Sequence, residues 1–142
     1  MAISEKAPIE IVRHTATNLS DLAILWSKSG HTDDAALLFE STIAIAERAL
    51  GLGHPLTQRY RSHCARHFLD TGRAAEALSF PRAALATHET ISGPNHRWTR
   101  DSARVTADAL DAQGRTDEAT ELRARHGIDE KRDYSTGHPR GL

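Results

Sequence analysis

This 142-residue sequence is short of the residues that build thick cores. It has one cysteine, two tryptophans, two tyrosines and three phenylalanines. The lone Cys64 excludes an intramolecular disulfide and any multi-cysteine zinc site. No apolar run approaches the roughly 18 residues of a membrane span, so no membrane partner is expected. No long Val/Ile/Thr/Tyr run marks a strand. Excess charge is lacking too. Eighteen basic residues face 19 acidic ones, a net charge of −1. Nucleic acid is therefore not expected as a partner. Residues Met1 to Pro8 have no signal-peptide core, so a cytoplasmic protein is expected.

What is present is alanine. The chain has 22, against 27 for Leu, Ile, Val and Phe together. Alanine is the best helix former and buries little area, which suits thin helical layers in close contact. A period accompanies it. Gly30, Gly72 and Gly114 are each 42 residues apart, as are Thr15/Thr57/Thr99, Ala23/Ala65/Ala107 and Ala35/Ala77/Ala119. Residues 15–56 and 57–98 share nine identities in 42 positions, among them Glu47/Glu89, Gly51/Gly93 and His54/His96. These identities fall where a repeated fold would constrain them.

Each unit reads as a helix pair. Leu19, Leu22, Ala23 and Trp26 fall on one helical face. Gly30 follows, where a left-handed residue ends the helix. Thr32 or Asp33 is expected to cap a second helix, with Ala35, Leu38, Phe39, Thr42 and Ala46 on its inner face. That helix ends at Gly51, and Pro55 suits the first turn of the next. The repeated alanines predict close helix contact, and consecutive antiparallel pairs make a solenoid. Pro81, at the place of Phe39, is expected to bend its helix. Ile9, Ile11 and Val12 extend the first helix backwards, to pack under the first unit or against another copy.

The stretch Leu22-Ala23-x-Leu25-Trp26, then Gly30, Ala35, Leu38-Phe39 and Glu47-Arg48-Ala49-Leu50-Gly51-x-x-His54-Pro55, resembles the tetratricopeptide repeat. The 42-residue spacing and the Gly-x-x-His-Pro linker are similar to its kinesin light chain type. The resemblance implies an all-α, right-handed solenoid of three helix pairs over residues 9–127, in units of about 9–51, 52–93 and 94–127. Residues 1–8 and 128–142 are expected to be polar tails. It also implies a protein-interaction module rather than an enzyme, with the first helix of each pair lining a concave groove. Groove positions would then include Ser20 and Asp21 in unit one, Arg59, Ser62, His63 and Arg66 in unit two, and Arg104 and Asp108 in unit three. The family's paired asparagines are absent: Ser20-Asp21, Ser62-His63 and Arg104-Val105 stand in their places.

Arg59, Ser62, His63 and Arg66 share a helical face, with Arg104 expected beside them one repeat on. Guanidinium groups suit carboxylate or phosphate, which points to an acidic or phosphorylated peptide. The competing expectation is a face neutralised by Asp21, Asp70, Asp101 and Asp108. A self-associating homodimer is the alternative function. A remoter one is metal binding through His63 and His67, which have metal-ligand spacing. No Glu stands at position 64 to act as a metalloprotease base. Neither a catalytic motif nor a cofactor motif is found, and Cys64, aligned with Leu22, is expected in the core.

Overall fold

The structure is a computed structural model and describes residues 6–128; side chains are described from Glu10 onward, Leu78 and Ser79 excepted. The end segments 1–5 and 129–142, expected to be polar tails, and the side chain of Ile9, expected to extend the first helix, lie outside the described residues.

Six helices form three antiparallel pairs: α1 (Lys6–Lys28) with α2 (Thr32–Leu50), α3 (Pro55–Asp70) with α4 (Ala74–Thr87), and α5 (Arg97–Ala112) with α6 (Thr116–Arg125). The described residues contain no strand. Close contact comes from alanine, as expected. Ala23, Ala35, Ala65, Ala77, Ala107 and Ala119 are all fully buried, so each pair meets at its two repeated alanines. Larger side chains fill the space between units. Phe39, Ile43, Tyr60, Cys64, Phe68 and Val105 belong to one core cluster across all three units. A second cluster, with Leu85, Leu110 and Leu122, closes the third unit, where Ile128 packs on it.

Successive first helices lie close together, α1 against α3 and α3 against α5, whereas the backbones of the second helices α2, α4 and α6 stay farther from one another. The stack is therefore closed on the first-helix side and fanned open on the other. One face of the stack is thus formed by α1, α3 and α5 in succession.

The turns follow the expected chemistry with one exception. Gly30, Gly72 and Gly114 have φ of +87°, +82° and +78°. At Gly93 the backbone adopts φ 94° and ψ 158°, a region open to glycine alone. Gly93→Ala should therefore cost about 2 kcal/mol although nothing obstructs a Cβ there. Urea denaturation of that variant checks this. The exception is the cap of α2: His31 precedes the helix, and its side chain makes no capping bond. Thr32 and Asp33 are already inside the helix, Asp33 with Asp34 in the first turn, where acids favour the dipole. The Gly-x-x-His-Pro linker has a capping purpose instead. His54 Nδ1 accepts from the Leu56 amide and His96 Nδ1 from the Trp98 amide, each at 3.0 Å.

One helix changes its winding, and one further expectation is modified. The helix continues through buried Pro81 to Thr87 and then widens into a π-helical segment, His88–Ser92. That segment begins where His88 replaces Ala46 of unit one at a fully buried position. A wider turn gives the larger ring its place. Leu22, expected inside, is 37 % exposed, while its counterpart Cys64 is 1 % exposed. Burial at this position comes from the preceding helix pair, and unit one has none among the described residues.

Candidate functional site

The α1–α3–α5 surface is held by side-chain bonds stepping from one first helix to the next. Thr17 Oγ1 lies 2.9 Å from the Tyr60 hydroxyl, Ser20 Oγ 3.2 Å from His63 Nδ1, and Ser27 Oγ 2.6 Å from His67 Nδ1. Between α3 and α5 the links become ionic. Arg59 donates to Asp101 at 2.8 Å and Arg66 to Asp108 at 2.9 Å, each 42 residues on. Arg104 also donates to Asp101, at 3.2 Å. Ser102 and Ser62 hydroxyls lie 3.5 Å apart between them.

These links frame a cleft of about 180 Å³ lined by Arg59, Ser62, His63, Arg66, Asp101, Arg104 and Val105. Five of the expected groove residues thus come together: Arg59, Ser62, His63, Arg66 and Arg104. The remaining three sit elsewhere. Ser20 is buried behind His63, Asp21 stands exposed on α1, and Asp108 is 1 % exposed beneath the surface. The expected neutralisation is present at Asp101 and Asp108, so the cleft is an ordered set of both charges rather than a purely basic patch.

Beneath it lies a network with no place in the sequence reading. Arg123 of α6 is 8 % exposed and donates to Asp108 and, like it, to Asp111, at 2.7 Å each. Its position is 42 residues from Pro81 and 84 from Phe39, a core place in both earlier units. Register arithmetic could have found it. A second buried link joins units two and three. His88 Nε2 donates to the Pro55 carbonyl at 2.9 Å, so Nδ1 of the neutral ring accepts from the Ser102 hydroxyl at 2.8 Å.

Burial governs the ionisation of the histidines. Desolvation first, and then the Arg59 charge, push His63 down to about 4. Desolvation also lowers His67 and His88. Both members of the His-x-x-x-His pair bond α1 serines through Nδ1, and no described group of three His, Cys, Asp or Glu side chains could hold a metal ion. The Cys64 thiol is pushed up to about 12, chiefly by burial, so it is a packed group and a poor nucleophile. No described helix is long and apolar enough to cross a membrane.

Two hollows open between the fanned second helices. One of about 370 Å³ includes Arg82, Leu85, Leu110, Glu118 and Arg125 in its walls. The other, about 250 Å³, is floored by Cys64 and Phe68. Neither gathers charged groups from successive first helices as the α3–α5 cleft does.

A family model described as tetratricopeptide repeat matches residues 15–56. Among curated proteins no match is found. A solved kinesin light chain-like protein of Podosopora anserina, with nearly identical TPR-like repeats, superimposes with a TM-score of 0.73 at 24% identity. The match covers 84% of this chain and 54% of that one. A single-substitution variant of the same protein gives a TM-score of 0.73 at 22% identity over 88% of this chain and 56% of that one. The chain thus spans about half the length of the solved structures it matches. Residues 15–56 match the tetratricopeptide repeat, and the chain, which stacks three helix pairs on one 42-residue plan, shares the fold of that kinesin light chain-like repeat protein.

Proposed function

We propose that the chain is a protein-interaction module that takes an extended, acidic segment of a partner along α1, α3 and α5. The cleft between α3 and α5 is the anchor. The observation that carries this reading is the convergence of Arg59, Arg66 and Arg104 on one cleft across two repeats. Repetition favours a ligand that runs along the stack, because each unit offers a side-chain set one step from the last. A guanidinium has five donors, and the bonds of Arg59 and Arg104 to Asp101 use only part of that capacity. A carboxylate entering the cleft would join an existing lattice and leave Asp101 in place.

Arg104 is the contact to test, with its side chain 27% exposed and its bond to Asp101 on its own helix. Arg59 and Arg66 are poorer choices, since each ties α3 to α5 and charge reversal would place like charges together. Fluorescent twelve-residue peptides rich in Glu, rich in Lys or uncharged serve as probes. The Glu-rich set should bind best, weaken with added salt, and lose about fivefold in affinity with Arg104→Gln. The thermal midpoint of that variant should stay within a few degrees of the parent. Equal binding of all three sets, or binding indifferent to Arg104→Gln, would overturn the acidic-segment reading.

A further inference from the structure

The exposed apolar side chains are unevenly distributed. On α1, Ile11 is 65%, Leu25 59% and Leu22 37% exposed. With exposed Thr15 and Asn18 they occupy positions 11, 15, 18, 22 and 25, an alternation of four and three that draws one narrow stripe along a helix. No charged residue lies in the stripe.

Four of these five positions, one and two repeats on, show what covers such a stripe; the counterparts of Ile11, Gly53 and Asn95, are exposed linker residues. Thr57 and Thr99, Tyr60 and Ser102, Cys64 and Thr106, and His67 and Ala109 are all at most 3% exposed. In units two and three those four positions are buried by the preceding helix pair. In unit one, among the described residues, the stripe is uncovered. A helix of this same construction is therefore the shape that fits it.

The other end of the stack cannot supply that helix. Residues facing the next unit are Thr17, Ser20, Ile24 and Ser27 in unit one, and their counterparts in unit three are Asp101, Arg104, Asp108 and Asp111. There Arg123 closes over Asp108 and Asp111. Head-to-tail stacking would press Leu22 and Leu25 onto an ion network and strip its water without new partners. The stripe is instead complementary to itself. Two antiparallel copies of α1 crossing near Asn18 set Ile11 of one against Leu25 of the other, Thr15 near Leu22, and Asn18 against Asn18.

We infer that the α1 stripe of Ile11, Thr15, Asn18, Leu22 and Leu25 is a two-fold docking surface for a second copy of this chain. Such an interface is closed, because each copy uses its one stripe and none remains to propagate the assembly. It also leaves the α3–α5 cleft of each copy outside the contact, so this inference and the peptide-binding reading fail or stand separately.

Light scattering on the full chain after size separation tests it. The parent should approach twice 15.6 kDa as concentration rises. Leu22→Glu/Leu25→Glu, at exposed positions where glutamate is also a good helix former, should raise the dimer dissociation constant by at least about a hundredfold with the helical content unchanged. Asn18→Cys supplies the symmetry. Mild oxidation should cross-link two copies through that residue, while buried Cys64 stays unreacted. A parent that is monomeric at every concentration would overturn the inference. So would a dimer that survives Leu22→Glu/Leu25→Glu, a mass that grows without limit, or a dimer in which Asn18→Cys does not cross-link.

Discussion

Asp108→Ala is expected to cost the fold about 3–5 kcal/mol, the range for leaving a buried ionic partner uncompensated. Asp108 is 1% exposed and joins three elements: α5, which carries it, α3 through Arg66 at 2.9 Å, and α6 through Arg123 at 2.7 Å. Without its carboxylate, the Arg123 side chain, 10% exposed, retains Asp111 alone. For a domain of this size the loss corresponds to a fall in thermal midpoint on the order of 10–20 °C. A calorimetric shift equivalent to less than about 1 kcal/mol would mean that the network is solvated like a surface pair.

The double variant Asp108→Leu/Arg123→Leu separates two origins of that loss. If it arises from an orphaned charge, removing both partners should recover at least half of it, because apolar side chains can replace a buried ion pair at little net cost. Asp111 and Arg66 are 12% and 25% exposed, so water can still reach them in the double variant. If the double variant is as unstable as the sum of the singles, the network stabilises the third unit through its bonds and not merely by avoiding an unpaired charge.

The helix pairs were legible in the sequence because their constraints are local and repeat. A positive φ at Gly30, Gly72 and Gly114 demands glycine, and full burial between paired helices demands alanine at positions 23, 65 and 107. The cleft was legible in part: adding 42 to a position on α3 gives its neighbour on α5, and this brought Arg104 beside Arg59, Ser62, His63 and Arg66. The same step leads from Arg59 to Asp101 and from Arg66 to Asp108, which the structure joins as ion pairs. Arg123 was harder to see. The polar run of α6 resembles a solvated cap, yet its register places one arginine inside, where carboxylates from α5 meet it. Leu22 was misplaced for the opposite reason: its helix face is apolar, but the cover for that face must come from another helix pair.

Stability should fall steeply as pH drops from 6.5 toward 4, and His63 should contribute most of the part that can be assigned. Its pKa is lowered from 6.5 to about 4 by burial and by Arg59, while Asp101 opposes the shift. The unfolded chain therefore binds more protons than the folded one across this window, so unfolding free energy rises with pH. The contribution is complete above pH 6.5 and lost progressively down to about 4, amounting to about 3 kcal/mol at most. His67, His88 and His54 are lowered as well and add to the slope with the same sign. Asp70 acts against them. Desolvation raises its pKa, so its ionisation destabilises the fold as pH rises through the carboxylate range. Urea titrations at pH 7, 6, 5 and 4.5 measure the net slope. His63→Asn keeps a polar group facing Ser20 but cannot take up a proton, and it should flatten the curve in this window. An unchanged slope in that variant would assign the acid sensitivity to the other lowered histidines, His67, His88 and His54.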